Sequence, residues 1–522
     1  MANPSLQIGN SNWAIKEDNL LGYSASGTRF FPIPITMTRA TAGTRVNSSG
    51  LVETVELLGS ELVVNGDFTN NVTGWNKFKS NATESWNSGG YLDFTKTGVS
   101  GRLGSDVSLE TNKTYKISVN VISKGGILDL YVGLSDFESP YAGVWSAPLV
   151  VGANAFYLTY TGSASSKGVY LQSAGSSYFG LTASIDSISV KEYTVNNLAR
   201  VNYTGSTSSL LAEPQSTNLI TYPVSFDNAY WTKSGATVTG GFTSPSADYT
   251  TSAYKLVADT SNANIISRPQ LISNTANTNS IYLKRVLGTG TVSIFNAAGN
   301  ETLVTLTNEW QRFSTSISVN PANAYHGVRV YDLGDEVMVF GAQTEQLSYP
   351  TSLIYNGVEG STVTRNKDQY TKTGISDKIN SEEGVLFVEI ANLLSSGGDG
   401  YLSLSDGTPS NRVTIRFTAT TNNLACQYVI SNINQTSMDN VLTDRTVFNK
   451  IAFRYSLNNF SVWVNGIELS TDTSGSVLPN DTLVKLSFDN GVAGNSPFYG
   501  KVKQLQVFKT ALSDSELIAL TS

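Results

Sequence analysis

The stretch "KIAFRYSLNNFSVWVNGIEL", residues 450–469, decides the fold class of this chain. Apolar and polar residues alternate through "KIAFRYS" and "FSVWVNG", and a period of two is typical of half-buried β-strands. Residues 457–459 separate the two runs, and asparagine tolerates the left-handed backbone of a tight turn. The stretch therefore predicts a β-hairpin.

The same alternation fills most of the 522 residues, as in "TYKISVNVIS", "GVYLQSA" and "RVTIRFTAT". The chain is 40% hydrophobic and 14% charged, which is enough apolar material for several cores. Short strands between Gly, Ser and Asn turns predict an all-β fold of tandem sandwiches. One exception is "ALSDSELIAL", where Ser513 and Glu516 predict a capping box and a short helix.

Changes in pattern divide the chain into six segments. The sequence predicts an irregular N-terminal anchoring or collar segment (1–60), a sandwich (61–195), an irregular connector (196–225), a second sandwich (226–350), a linker (351–381) and a third sandwich (382–522). The first two sandwiches share an order of features that begins with a Trp in a polar turn, Trp75 and Trp231. We interpret this as a diverged internal duplication, with both tryptophans as core plugs.

Composition excludes several classes of function. The net charge of −7 comes without a basic stripe, so nucleic acid is not an expected partner. The opening lacks a basic and apolar leader and no run approaches ~20 apolar residues, so neither secretion nor membrane insertion is expected. The single cysteine, Cys426, excludes a disulfide framework and is expected to be buried.

Several runs resemble known sandwich families. "ELVVNGDFTNNVTGW" and "SIDSISVKEY", at the two ends of the first sandwich, resemble the jelly-roll carbohydrate-binding modules, and the second sandwich is a weaker match of this type. "GVLFVEI", "KIAFRYSLNNFSVWVNGIEL" and "YGKVKQLQVFKTALSDSELIALT" resemble the laminin-G-like, concanavalin A-like lectin/glucanase sandwich. The resemblance implies two jelly rolls, a terminal concanavalin-like domain and glycan binding.

The joining segments resemble another class of protein. "FPIPITMTRATAGTRVNSSGLVETV", "LLAEPQSTNLITYPVSFDNAYWTKSG" and "FGAQTEQLSYPTSLIYNGVEGSTVTRNKD" are similar to phrases in tail-fibre, head-fibre and other surface proteins of bacteriophages. The resemblance implies a virion surface protein, assembled in the host cytoplasm, that attaches to other virion proteins through its N-terminal segment, binds host-surface glycans and forms homotrimers. The alternative is a capsid or tail cement protein whose sandwiches make only protein contacts.

Catalytic patterns are weak. The only histidine, His326, is expected to be a satisfied surface residue, so Ser-His-Asp chemistry and histidine metal sites are excluded. Glycoside hydrolysis needs two carboxylates, and "LFVEIANLL" supplies Glu389 alone, while Asp399, Asp406 and Asp439 are expected in turns. We therefore expect no enzymatic activity, with a glycan-degrading enzyme as a third alternative.

Calcium is the one ion that the resemblance implies, and no other cofactor is expected. Asp186 matches the aspartate of the closing strand in the jelly-roll modules. The acidic partner position of that family is Thr69 here, with Asp67 two residues earlier. In the third sandwich, Asp406 and Asp489 are either rim ligands or turn residues that cap their own backbone.

Sugar binding requires exposed aromatic rings beside polar groups. Four aromatics in turn-rich context fit this requirement: Trp86, Tyr91, Tyr141 and Trp145. Contacts between subunits would use the same surfaces, and the sequence leaves both readings open. Trp310 and Trp463 alternate with polar neighbours and are expected to point inward.

Overall fold

The structure is a computed structural model that describes residues 2–9, 13–15, 21–24, 30–32, 34–126, 129–139, 141–173, 181–267, 275–297, 300–319 and 325–522. The chain forms two compact units. We call residues 1–55 and 195–522 the main unit, and residues 56–194 the inserted unit. The predicted all-β fold is confirmed, and no helix in the described residues is long and apolar enough to cross a membrane.

Short strands occupy the described part of the first 55 residues. They are β1 (Leu6–Gly9), β2 (Trp13–Ile15), β3 (Leu21–Ser24), β4 (Phe30–Pro32), β5 (Thr36–Thr38), β6 (Thr44–Val46) and β7 (Val52–Thr54). Strands β2, β3 and β4 form one small sheet, and β6 pairs with β7. All of these pairings are antiparallel.

The inserted unit is a jelly-roll sandwich. Its strands are β8 (Leu57–Glu61), β9 (Lys77–Ser80), β10 (Ala82–Asn87), β11 (Tyr91–Lys96), β12 (Arg102–Asp106), β13 (Thr114–Gly125), β14 (Leu130–Asp136), β15 (Gly143–Trp145), β16 (Gly152–Thr159), β17 (Lys167–Ser173) and β18 (Thr182–Thr194). One sheet has the order β10-β11-β18-β13-β16, with β8 beside β18, and the other has the order β15-β14-β17-β12-β9. Trp75 is fully buried in the core between them, which confirms its prediction as a core plug.

A second jelly roll follows in the main unit. After β19 (Arg200–Thr204), β20 (Thr207–Ala212) and β21 (Ser216–Asn218) come its strands: β22 (Thr232–Ser234), β23 (Ala236–Phe242), β24 (Ala253–Ala258), β25 (Ala263–Ser267), β26 (Asn277–Leu287), β27 (Val292–Ala297), β28 (Asn300–Val304), β29 (Gln311–Ile317), β30 (His326–Val330) and β31 (Glu336–Glu345). The sheets are β23-β24-β31-β26-β29 and β22-β25-β30-β27-β28. Each strand from β22 to β31 takes the place of the corresponding strand from β9 to β18, and Trp231 is buried as Trp75 is. The shared order supports the predicted duplication.

Strand β32 (Val363–Arg365) precedes the terminal sandwich. The sandwich contains β33 (Gln369–Thr373), β34 (Gly384–Asn392), β35 (Gly400–Ser405), β36 (Arg412–Phe417), β37 (Asn423–Ile430), β38 (Ile433–Val441), β39 (Asn449–Ser456), β40 (Asn459–Val464), β41 (Ile467–Asp472), β42 (Lys485–Ser487), β43 (Gly500–Phe508) and α1 (Asp514–Thr521), with a 3-10 turn at Ser376–Lys378. One sheet has the order β19-β20-β43-β34-β39-β40-β41, and the other β38-β37-β36-β35-β42-β33-β5; β32 pairs with β21 outside both. The hairpin β39–β40 turns at Leu457 and Asn458, whose φ is +53°. The capping box of α1 is confirmed, because Ser513 N donates to the Glu516 carboxylate at 3.0 Å.

The N-terminal strands complete this sandwich, so the expected irregular collar at 1–60 is corrected for the residues that the structure describes. Strand β1 pairs with β43, and β5 pairs with β33. Ile8 and Met37 are buried in the same core as the terminal strands. Strands of three or four residues are too short to show a period of two, and the partners of β1 and β5 lie hundreds of residues away.

Buried ion pairs join the segments predicted as connector and linker. Arg39 contacts Asp368 at 2.8 Å, and Glu213 contacts Arg200 at 2.7 Å and Arg365 at 2.8 Å. Arg200 also pairs with Asp368. Burial alone would raise the pKa of Glu213, but Arg365 and Arg200 lower it to about 2. We call these five side chains the ion hub, and they give the expected irregular segments a fixed structure.

Candidate functional site

Five aromatic side chains gather on the outer face of the β15-β14-β17-β12-β9 sheet of the inserted unit. Val169 and Leu171 of β17 point into the core, so Tyr170 between them points outward. Tyr170 nevertheless has no exposed area, because neighbouring rings cover it. We call this surface the aromatic face, and its rings are Phe78, Phe137, Tyr141, Trp145 and Tyr170.

The rings form a continuous packed layer. The Trp145 ring lies edge-on to Tyr170 with centroids 4.1 Å apart, and Phe78 lies edge-on to Tyr170 at 5.5 Å. Phe78 stacks on Phe137 at 5.0 Å and on Tyr141 at 6.2 Å. Tyr141 is 59% exposed and Trp145 is 40% exposed. The layer therefore presents two exposed rings on a base of buried Tyr170 and half-buried Phe78 and Phe137.

Glycines on the neighbouring strands make room for this layer. Gly133 and Gly104 pair with Tyr170 from either side. A Cβ at Gly133 would lie 2.9 Å from the Trp145 ring and 3.0 Å from the Tyr170 ring. Any larger residue there would push the rings away from the sheet.

Two of the rings are held by unusual backbone. The φ angles of Phe78 and Tyr141 are +49° and +59°, a region that L-residues other than Asn, Asp and Gly rarely adopt. The β9–β12 pairing also shifts register between Arg102 and Gly104. Such conformations cost on the order of 1–3 kcal/mol each and cluster at functional sites.

Polar groups without partners accompany the rings. Arg102 and Gln172 pair in register next to Tyr170, and the Arg102 guanidinium lies 5.0 Å from the Phe78 ring centroid. The Arg102 Nε and the Gln172 Oε1 are buried and make no hydrogen bond within the described residues. Buried polar groups normally have a partner, so a water or ligand is expected here.

The structure brings together two of the four predicted aromatics. Tyr141 and Trp145 belong to the aromatic face, whereas Trp86 and Tyr91 lie on β10 and β11 of the other sheet. Trp86 pairs opposite the core residue Leu92, and its indole N–H donates to the Phe68 carbonyl oxygen at 2.8 Å. Trp86 therefore closes an edge of the sandwich.

Sequence reasoning missed Phe78, Phe137, Tyr170, Arg102 and Gln172. The alternation of "GVYLQS" could have placed Tyr170 and Gln172 on an outward face. No local signal marks Phe78, because its position depends on its left-handed backbone and on the register shift beside β12.

The aspartates predicted as calcium ligands accept hydrogen bonds from neighbouring protein groups. Asp186 accepts a hydrogen bond from Asn120 Nδ2 at 3.0 Å, and Asp67 accepts one from its own turn at Thr69 N, at 3.4 Å. Within the described residues, no group of three or more His, Cys, Asp or Glu side chains is placed to hold a metal. Asp406 and Asp489 accept hydrogen bonds from residues of their own turns.

In the second jelly roll, the sheet face equivalent to the aromatic face carries an arginine in place of Tyr170. In register, Arg329 takes the place of Tyr170, because it pairs with Asn264 and Ser293 as Tyr170 pairs with Gly104 and Gly133. Arg329 contacts Glu301 at 2.7 Å, and its guanidinium lies 5.4 Å from the Phe295 ring. A paired cation therefore occupies the position of the aromatic base.

Other residues that the sequence singled out are buried or half-buried. His326 is 1% exposed, so the expected surface position was wrong, and Cys426 is buried as predicted. Glu389 lies 2.8 Å from Gln504 Nε2 and 3.5 Å from Lys503 Nζ. Trp463 is buried beneath α1, in the cluster that includes Leu517, and Trp310 is half-buried.

Comparisons with known proteins agree with the fold of the terminal sandwich. Residues 376–518 match the family model of the concanavalin A-like lectin/glucanases superfamily. A search of curated proteins gave no match.

Three solved structures are similar to parts of the chain. The CBM40 of the Ruminococcus gnavus IT-sialidase, bound to α2,3-sialyllactose, is 20% identical, with 27% of this chain and 83% of that one covered and a TM-score of 0.24. Domain 4 of the Geobacillus stearothermophilus arabinanase AbnA, in complex with arabinotriose, is 14% identical, covering 32% and 75%, with a TM-score of 0.25. The CBM22 tandem of Paenibacillus barcinonensis Xyn10C is 13% identical, covering 55% and 98%, with a TM-score of 0.24.

Proposed function

We propose that this protein is a glycan-binding protein and that the aromatic face of its inserted unit is the binding surface. The observation that carries the proposal is the exposed pair Tyr141 and Trp145 over buried Tyr170, beside the unpartnered Arg102 Nε and Gln172 Oε1. Aromatic rings cover the apolar side of a pyranose, and polar groups beside them bind its hydroxyls.

The second jelly roll does not take part in this proposal. Its equivalent surface holds Arg329 paired with Glu301, which leaves no ring in the place of Tyr170. One copy of a duplicated module would thus bind glycan, while the other serves as scaffold.

The wider role that we propose rests on the sequence resemblance. The protein would lie on the surface of a bacteriophage particle, attached to other virion proteins through its N-terminal region, and would bind host-surface glycans as a homotrimer. Several weak sites on one particle would add up to firm attachment. We also propose that the protein acts without catalysis, since glycoside hydrolysis needs two carboxylates and the strand "LFVEIANLL" supplies Glu389 alone.

The alternative is a cement protein, in which Tyr141 and Trp145 are covered by another virion protein. Both exposed rings would then be interface residues, which are often aromatic. The two readings differ in whether the isolated chain binds sugar.

The test is a glycan array with the full chain, followed by titration of the best ligand. We expect Trp145→Ala to weaken binding about tenfold, because a stacked ring is lost. Tyr157→Ala is the matched control, since Tyr157 is 49% exposed on the other sheet of the same unit. Absence of binding by the folded chain, or an equal loss in both variants, would reject the aromatic face and favour the cement reading.

A further inference from the structure

A second surface with unpartnered polar groups lies in the main unit, on the outer face of the β38-β37-β36-β35-β42-β33 sheet. Val413 and Ile415 of β36 belong to the core, so the alternate residues Arg412, Thr414 and Arg416 point outward. We call this surface the basic face. It also includes Tyr401, which pairs with Arg416, and Gln427, which pairs with Thr414.

The two arginines converge on one ring. The guanidinium carbons of Arg416 and Arg412 lie 5.3 Å and 5.8 Å from the Tyr401 centroid. Arg416 donates to the Tyr401 hydroxyl, and Arg412 donates to the Pro409 carbonyl oxygen. Neither arginine makes an ion pair with any residue that the structure describes. Two like charges therefore share a small area without a counter-ion.

Buried polar atoms between the arginines also lack partners. These atoms are the Nε of Arg412 and of Arg416, Thr414 Oγ1 and Gln427 Oε1. Thr414 is fully buried and Gln427 is 6% exposed. Burial lowers the pKa of Arg412, and the charge of Arg416 lowers it further, although Tyr401 acts in the opposite direction. An anion would relieve this repulsion, and a guanidinium pair suits carboxylate or sulfate.

The neighbouring acids do not supply that anion. Asp439 lies on β38, not in the predicted turn, and is separated from Arg416 by Ala425 of the intervening strand. Asp406 is hydrogen-bonded to Thr408 and Asn411 of its own turn, and Asp489 to Ser487 and Gly491. None of these three carboxylates therefore pairs directly with Arg412 or Arg416.

We infer that the basic face binds an anionic saccharide, with a carboxylate or sulfate group between Arg412 and Arg416 and hydroxyl groups at Thr414 and Gln427. A bare anion would use the arginines alone and would leave both neutral oxygen atoms without partners. An oligosaccharide supplies acceptors and donors in one ligand. The site is independent of the aromatic face, because its residues lie in the other unit.

The experiment is calorimetric titration of the full chain carrying Trp145→Ala, which disables the aromatic face, with four probes: a heparin-derived hexasaccharide, a hexagalacturonate, a neutral hexasaccharide and inorganic sulfate. We expect binding of at least one charged hexasaccharide, weakened by added salt, and much weaker or no binding of the other two probes. Arg412→Gln and Arg416→Gln should each weaken this binding about tenfold. Asp439→Asn should strengthen it about twofold, because an exposed negative charge leaves the rim.

Arg329→Gln is the matched control. Arg329 also lies on an outer sheet face beside aromatic rings, but Glu301 pairs with it, so anion binding should not change. Equal binding of sulfate alone, equal binding of the neutral hexasaccharide, or an equal loss in Arg329→Gln would overturn the inference. If the arginine variants unfold, Asp439→Asn decides, since no gain in affinity would reject the site. Loss of neutral-glycan binding in Trp145→Ala reports on the aromatic face alone, so the two proposals can fail separately.

Discussion

Acidification should destabilise the main unit through its one histidine. His326 is 1% exposed, its Nε2 lies 3.2 Å from the Ser280 carbonyl oxygen, and the Trp231 ring stands edge-on at 5.8 Å. Its Nδ1 is buried without a partner. Burial lowers the pKa of His326 to about 4, from an ordinary value of 6.5.

The sign of the effect follows from which state binds the proton. Between pH 6.5 and pH 4 the unfolded chain protonates this histidine and the folded chain does not, so stability is full at neutral pH and falls with acidification. The loss between pH 7 and pH 5 is about 2 kcal/mol, and it levels off near 3 kcal/mol below pH 4. Carboxylates with lowered pKa, such as Glu213, lose their contribution only at still lower pH.

The assay is urea unfolding at pH 7 and pH 5 at fixed ionic strength, with hydrogen exchange of β25 and β30 as the local probe. Wild type should lose about 2 kcal/mol between the two conditions, whereas His326→Gln should lose little, because no other histidine remains. The comparison uses the change in the free energy of unfolding between the two pH values. A destabilisation by the substitution that is the same at both pH values therefore cancels. Equal stability of wild type at both pH values, or an unchanged slope in the variant, would refute the reasoning.

Two further predictions concern the core of the main unit. Glu213→Gln should destabilise it by about 3–5 kcal/mol, because Arg200 and Arg365 stay buried with less counter-charge. Asp377→Asn, which breaks the exposed pair with Lys378, should destabilise it far less in the same urea assay, and similar values for both would contradict the hub. Cys426 is buried and its thiol pKa is raised, so a thiol reagent should label it only as fast as the main unit opens; rapid labelling of native protein would contradict its placement.

Local signals in the sequence predicted local structure well. The hairpin at residues 450–469 and the capping box of Ser513 and Glu516 each depend on residues a few positions apart. The burial of Trp75 and Trp231 followed from their repetition in two similar modules. The sequence predicted only part of the candidate site: Tyr141 and Trp145 could be found because they stand among turn residues.

What the sequence by itself determined is the all-β class, the sandwich modules and their order, because alternation and turn residues act over a few positions. Only the tertiary structure decided which aromatic residues share a face, since Phe78, Trp145 and Tyr170 come from three strands that meet by sheet pairing. The same holds for the ion hub, whose Arg39 and Asp368 are far apart in sequence. Side chains from strands that are distant in sequence meet only when those strands pair in the folded sheets, and no short sequence pattern specifies that long-range pairing.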